Sequence, residues 1–208
     1  MTGVFTVMTR VIQTAAVLEE LFGPVAAPSL QKEVATLHPV YQRWTAASPF
    51  AVLATSGPAG LDASPRGDPA SLVHIQDERT LLLPERRGNN RTDSLRNILH
   101  CPQVGLLFFV PGVNETLRVA GRARILVGAE LVQRFAVAGQ PPKCVLEITV
   151  DTAFFQCGRA ILRSGLWAGA ERVDVPSAGE MLQAITAGQV NALQYDAELP
   201  QRQQSTLY

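Results

Sequence analysis

Net charge is what this chain most plainly lacks: eighteen basic residues balance eighteen acidic ones over 208 positions. No general electrostatic pull toward nucleic acid or an anionic membrane follows. Aromatic residues make up only 6%, too few for the stacking surface of a single-strand nucleic-acid binder. Cysteine is thin and scattered. Cys101, Cys144 and Cys157 form no CxxC pair and are widely spaced, so neither zinc nor a disulfide framework is indicated. Three thiols fit a reducing cytoplasm. The start of the chain lacks the basic head and unbroken apolar core of a secretory leader, since Arg10, Glu19 and Glu20 interrupt it. No apolar run approaches membrane-spanning length. Familiar phosphate and nucleophile motifs are missing too: there is no GxGxxG after a strand, no GxxxxGK[ST] and no Gly-x-Ser-x-Gly elbow. His38, His74 and His100 have no serine or cysteine at an informative spacing and read as structural.

Lysine is also scarce, and this scarcity points somewhere. Of the eighteen basic residues only Lys32 and Lys143 are lysines, and nine of the sixteen arginines fall between Arg66 and Arg124. The stretch at the centre of that cluster runs from Leu81 to Ile98. An apolar run ends at Pro84, a turn carries Arg86, Arg87 and Arg91 with Asn89 and Asn90, and Thr92 or Asp93 sits where a helix is capped ahead of Leu95 and Ile98. Strand, cationic Gly/Asn turn and helix start form a physical recipe for holding a phosphate through free N–H groups, helix dipole and arginine forks. The bland alternative is a solvated loop whose arginines pair with Glu85 and Asp93.

Around this stretch the hydrophobic period changes twice. Val11, Ala15, Leu18 and Phe22 predict a first helix. A second, from Ser29, carries Leu30, Val34, Leu37, Tyr41 and Trp44, with a kink or break at His38-Pro39. From Pro49 the pattern is of short strands and tight turns: 50–55, 61–66, 71–75 and 79–83, then a helix over 92–100, long strands over 103–110 and 115–127, a helix over 129–137 and a last strand over 144–150. A helix capped by Ser177 and a polar tail over 201–208 close the chain. The expected class is α+β, mainly β: a small barrel with flanking helices, divided into a helical extension (1–48), the barrel (49–175), and a C-terminal helix and tail packing on it (176–208).

Four segments, in order, resemble the pyridoxamine 5′-phosphate oxidase-like family of FMN-binding split β-barrels, and in particular a bacterial subgroup of FMN-dependent oxidoreductases of unknown substrate. They are Leu61 to Asp68, the Leu81–Ile98 stretch, Thr116 to Gly121, and Cys157 to Trp167. The resemblance implies a homodimer with FMN at the subunit interface. It places Arg66 near the cofactor phosphate with Asp68 beside it, Leu82, Leu83 and Pro84 against the flavin ring, and Arg87, Asn89, Asn90, Arg91 and Ser94 in the phosphate turn. Thr116 and Arg118 supply polar contacts to the ring, and Arg163 and Trp167 reach the flavin from the partner subunit. Trp167 as a core anchor, and Arg163 paired with Asp151 or Glu171, are the competing readings. Asn90-Arg91 stand where the vitamin-processing oxidase has a basic pair, and that enzyme's substrate-binding residues are not found. No acid, base, nucleophile or metal site is assigned. The implied activity is flavin-dependent oxidation or reduction, in the cytoplasm, with a nicotinamide or other small molecule as electron donor or acceptor. A flavin-binding sensor, store or carrier is the alternative, and a deazaflavin or haem also suits this kind of barrel.

Overall fold

Strand after strand in this chain buries one side chain and exposes the next. In β1 (Phe50–Gly57) Ala51, Leu53 and Thr55 point inward, and in β5 (Gln103–Phe109) Val104, Leu106 and Phe108 do. In β6 (Thr116–Leu126) Leu117, Val119 and Ala123 are buried while Arg118, Arg122 and Arg124 face out. That period of two builds a sheet with one wet face. The computed structural model describes residues 10–69, 71–169 and 174–208.

The chain divides into two compact units, residues 1–33 and 34–208. The first contains α1 (Ala15–Phe22) and α2 (Ala27–Gln31). The second helix expected from Ser29 is not continuous: α2 stops at Gln31, and α3 (Pro39–Ala46) begins in the second unit with Pro39 in its first turn. His38 caps α3, its Nδ1 accepting from Val40 N at 3.3 Å. Proline starts a helix readily there because its missing N–H would have had no partner.

The second unit is built on one seven-stranded antiparallel sheet, completed by β2 (Gly60–Gly67), β3 (His74–Asp77), β4 (Thr80–Glu85) and β7 (Cys144–Gln156), in the order β2-β1-β5-β6-β7-β4-β3. It agrees with the split β-barrel reading, with α4 (Asp93–His100), α5 (Ala129–Gln133), α6 (Arg159–Ser164), α7 (Ala178–Ile185) and α8 (Ala192–Ser205) flanking it. The ladder is not closed. Even so, the sheet curls enough that Arg66 on β2 forms an ion pair with Glu85 on β4, across four intervening strands in the sheet order. The core inside this curl holds Leu53, Leu81, Leu83, Phe108, Leu117, Leu146 and Ile148.

Several boundaries differ from expectation for local reasons. The third strand is 74–77 rather than 71–75, because Ser71 is in a turn, its N–H on Pro69 O and its hydroxyl on Val73 O. The helix expected over 129–137 ends at Gln133, and Val137 instead bridges Gln140 across the positive-φ pair Ala138 and Gly139. Strand β7 continues past Val150 to Gln156 through a bulge at Asp151: Ala120 faces Thr152 while the next residue, Gly121, faces Val150. The extra residue shifts the inward phase so that both Val150 and Ala153 are buried. Gly121 is required there, since a Cβ would lie 2.2 Å from Thr149 O. The polar tail over 201–208 is largely helix. Its residues extend α8, which starts from the Asn191 cap and runs to Ser205 through Pro200. Helix α7 opens with the capping box formed by Ser177 and Glu180.

Candidate anion-binding site

Strand β2 presents Asp62, Ser64 and Arg66 on one half-buried face, and the first turn of α4 lies against it. The Ser94 hydroxyl, buried in α4, donates to Asp62 Oδ2 at 2.8 Å and lies 3.0 Å from Ser64 Oγ. Arg66 Nη2 donates to Ser64 Oγ at 3.2 Å, while Nη1 is held by the Glu85 carboxylate. The remaining donor, Arg66 Nε, is buried with no hydrogen-bond partner among the described residues. A buried, unmatched guanidinium N–H is costly and marks a place where an acceptor is wanted.

The loop from Arg86 to Thr92 forms the other wall. Asn90 and Thr92 both have positive φ (61° and 57°), which bends the chain sharply before the helix. Thr92 occupies the cap position without a side-chain cap bond, so the first-turn N–H groups of α4 are not satisfied by their own cap. Asn89 Oδ1 accepts from Arg91 N at 3.1 Å, and Asn90 Oδ1 accepts from Lys143 Nζ at 3.2 Å. Arg91 pairs with Asp93 on the surface, at 2.7 Å. Arg87 is exposed and has no hydrogen bond or ion pair among the described residues.

Together these residues line a groove of about 630 Å³. Of its five cations, Arg66 is held by Glu85, Arg91 by Asp93 and Arg86 by Asp68 from the adjoining hollow, while Arg87 and Lys143 have no carboxylate partner among the described residues. Set against Asp62, the lining carboxylate with no ion pair among the described residues, these two leave one net positive charge, which favours an anion such as a phosphate. Both bland ion pairs expected from sequence are present, Glu85 with Arg66 and Asp93 with Arg91, and Arg87 and Lys143 remain in spite of them. Cys144 forms part of the floor opposite Glu85. Burial, and then the Glu85 charge, push its thiol pKa up, against a smaller opposing pull from Arg66, so it stays a neutral thiol rather than a nucleophile.

Of the sequence-proposed residues, Arg66, Pro84, Arg87, Asn89, Asn90, Arg91 and Ser94 come together on this groove. Leu82 and Leu83 have core side chains, although β3 pairing stops opposite Leu82 and leaves the strand edge beyond it without a ladder partner. Asp68 lies in the adjoining hollow, where it holds Arg86 through a contact of 2.7 Å and meets the Tyr208 hydroxyl at 3.2 Å. Arg86 also donates to Phe135 O, at 2.6 Å. Thr116 is buried at the start of β6, and Arg118 lies over the Phe154 ring at 5.2 Å. Arg163 is exposed on α6, and Trp167 donates from Nε1 to Val113 O at 2.8 Å. None of these last four lines the groove within one chain. Asp151 pairs with Arg122 rather than Arg163, and Glu171 lies outside the described residues. Sequence reasoning missed Asp62, Ser64, Lys143 and Cys144. The first two are four and two residues before Arg66 in a strand, a period that places them on its face, whereas Lys143 arrives through the β4–β7 register, which no local pattern shows.

Among the described residues no group of side chains is arranged to hold a metal ion, and no helix is long and apolar enough to cross a membrane. No curated protein matches the chain. Solved structures that resemble it include a HupZ variant from Group A Streptococcus (21% identity, 58% of this chain and 99% of that one, TM-score 0.48). General Stress Protein 26 from Bacillus anthracis matches at 16% identity over 55% of this chain and 88% of that one, with a TM-score of 0.43. The FAD binding protein from Mycobacterium smegmatis matches at 13% over 59% and 97%, with a TM-score of 0.40. Membership rests on the family model. That model, described as pyridoxamine 5′-phosphate oxidase, matches residues 37–157, which include all seven strands and every groove residue named above. With more than half of its length matched, the chain belongs to the pyridoxamine 5′-phosphate oxidase family.

Proposed function

We propose that this chain is an FMN-dependent oxidoreductase whose groove anchors the cofactor phosphate. The observation that supports this most is the presence of two cations without a carboxylate partner, Arg87 and Lys143, in a groove where the buried Arg66 Nε has no acceptor among the described residues. Arg87, Arg91 and Lys143 on the loop side attract and fix the phosphate, and Arg66 approaches it from the floor. Pro84, Leu72 and Leu207 give the groove apolar surface, where a flat ring system loses water favourably. The open edge of β4 beyond Leu82 offers backbone groups to a hydrogen-bonding ring edge. Bound FMN would supply the redox centre for hydride exchange with a nicotinamide or another small molecule.

A second copy of the chain completes the site in this reading. Thr116, Arg118, Arg163 and Trp167 do not reach the groove of their own chain, and Phe155, Leu162 and Leu166 near them stay exposed. A homodimer covers that apolar surface and brings the same segments toward the partner's cofactor. The setting is cytoplasmic, in keeping with three free cysteines.

A flavin carrier without turnover is the second reading. It is favoured by the absence of histidine from the groove lining and by the suppressed acidity of Cys144. One preparation separates the readings. Purified protein is expected to show flavin absorbance bands and to release FMN on denaturation, and NADH or NADPH is expected to bleach those bands anaerobically. Bands that persist with every donor support the carrier, and failure to bind added FMN at all overturns both.

A further inference from the structure

The hydroxyl protons of the groove have a direction. Arg66 can only donate and Asp62 can only accept, so the chain between them has one consistent polarity. Arg66 Nη2 gives its proton to Ser64 Oγ at 3.2 Å, Ser64 gives its own to Ser94 Oγ at 3.0 Å, and Ser94 gives its own to Asp62 Oδ2 at 2.8 Å. Each serine hydroxyl has one proton and two lone pairs, and both protons are spent inside the chain. What the two oxygens still offer is one lone pair each.

We infer that Ser64 and Ser94 form an acceptor-only subsite that takes hydroxyl protons from a ligand's polyol chain, with Asp62 as the residue that fixes its polarity. The inference rests on the flavin reading, since the ribityl chain of FMN carries such hydroxyls next to its phosphate. It moves Ser94 away from the phosphate, where the family resemblance puts it. Phosphate oxygens are acceptors themselves, and against these serines they would meet lone pair to lone pair, with the Asp62 charge one hydrogen bond behind. The groove is therefore polarised. Asp62 and Glu85 offset Arg66 on the floor, and the cations Arg87 and Lys143, with Arg91 paired to Asp93, are on the loop side.

The test compares FMN with riboflavin, which has the ribityl chain and lacks the phosphate, by fluorescence titration of the full chain. Ser94→Ala is expected to weaken both ligands by about three- to tenfold, the range of one lost hydrogen bond, leaving their affinity ratio unchanged. Arg87→Ala is expected to weaken FMN alone. Asp62→Ala frees the serine protons and should match Ser94→Ala, while Asp62→Asn keeps an acceptor oxygen and restores affinity for both ligands. Circular dichroism shows whether each variant is folded, and Ser64→Ala gives the same comparison if Ser94→Ala is not. A loss confined to FMN in Ser94→Ala makes that serine a phosphate ligand and overturns the inference with the flavin reading intact. If the wild-type chain binds neither flavin, the flavin reading fails and this one with it.

Discussion

Arg86 and Arg87 are adjacent in sequence and should fail in opposite ways. Arg86 is buried against Asp68, with side chains 16% and 6% exposed, and it donates to Asp68 Oδ2 at 2.7 Å and to Phe135 O at 2.6 Å. Arg86→Ala leaves the Asp68 carboxylate buried with, among the described residues, only the Tyr208 hydroxyl bonded to it. Removing one partner of a buried ion pair costs about 3–5 kcal/mol. Because Tyr208 remains and Arg86 keeps some access to water, the low end applies, about 3 kcal/mol. For a unit of this size that lowers Tm by about 6–12 °C. Arg87 has no hydrogen bond or ion pair to lose among the described residues, so Arg87→Ala should change stability by no more than about 0.5 kcal/mol. Its cost is expected in binding, where one charge-assisted hydrogen bond is worth about 1.5–3 kcal/mol, or roughly ten- to a hundredfold in the FMN Kd. Thermal melts and FMN titrations on the two variants read both effects. If Arg87→Ala melts as early as Arg86→Ala, or Arg86→Ala melts with the wild type, the division of labour assigned to the loop is wrong.

Other outcomes follow from single contacts. Gly121→Ala forces a Cβ to within 2.2 Å of Thr149 O at the β6–β7 bulge, so it should destabilise the unit by at least about 2 kcal/mol in a denaturant titration; a wild-type midpoint would mean that the bulge shifts freely. Cys144 is buried with its thiol pushed up, whereas Cys157 is exposed, so iodoacetamide should alkylate Cys157 first and Cys144 only on unfolding, as read by peptide mass mapping. The same shift favours the neutral thiol in the fold. Its contribution to stability is full below the ordinary thiol range and is lost as pH rises through the folded pKa, and Cys144→Ser should flatten that alkaline decline. Trp167→Phe removes the bond to Val113 O and should cost about 1 kcal/mol in the same titration; an unchanged midpoint would show that this bond does not hold α6 and its following turn.

The groove's loop wall was legible in the sequence because its chemistry is local. Arg87, Asn89, Asn90, Arg91 and Ser94 are neighbours in the chain, and a cationic turn leading into a helix has physical meaning before any tertiary contact exists. Arg66 came from the family resemblance, and the period of its strand would have added Asp62 and Ser64 on the same face. Lys143 and Cys144 were not reachable, because only the pairing of Glu85 with Cys144 brings them there. The far half of β7 was hidden for a related reason. The bulge at Asp151 breaks the alternation that a strand reading depends on, and it is stabilised by a glycine on the neighbouring strand. Helix α8 was hidden by its own composition, a polar run with Pro200 inside it, held by the Asn191 cap and by Asp196 accepting from Gly179 N in α7 at 2.8 Å.

The most direct test of the central claim is a crystal structure of the protein grown with FMN. The account predicts the phosphate in the groove between β2 and the 86–92 loop, within hydrogen-bond distance of Arg66 Nε and of at least one of Arg87, Arg91 and Lys143. A flavin bound with its phosphate elsewhere and the groove filled only by solvent would contradict it.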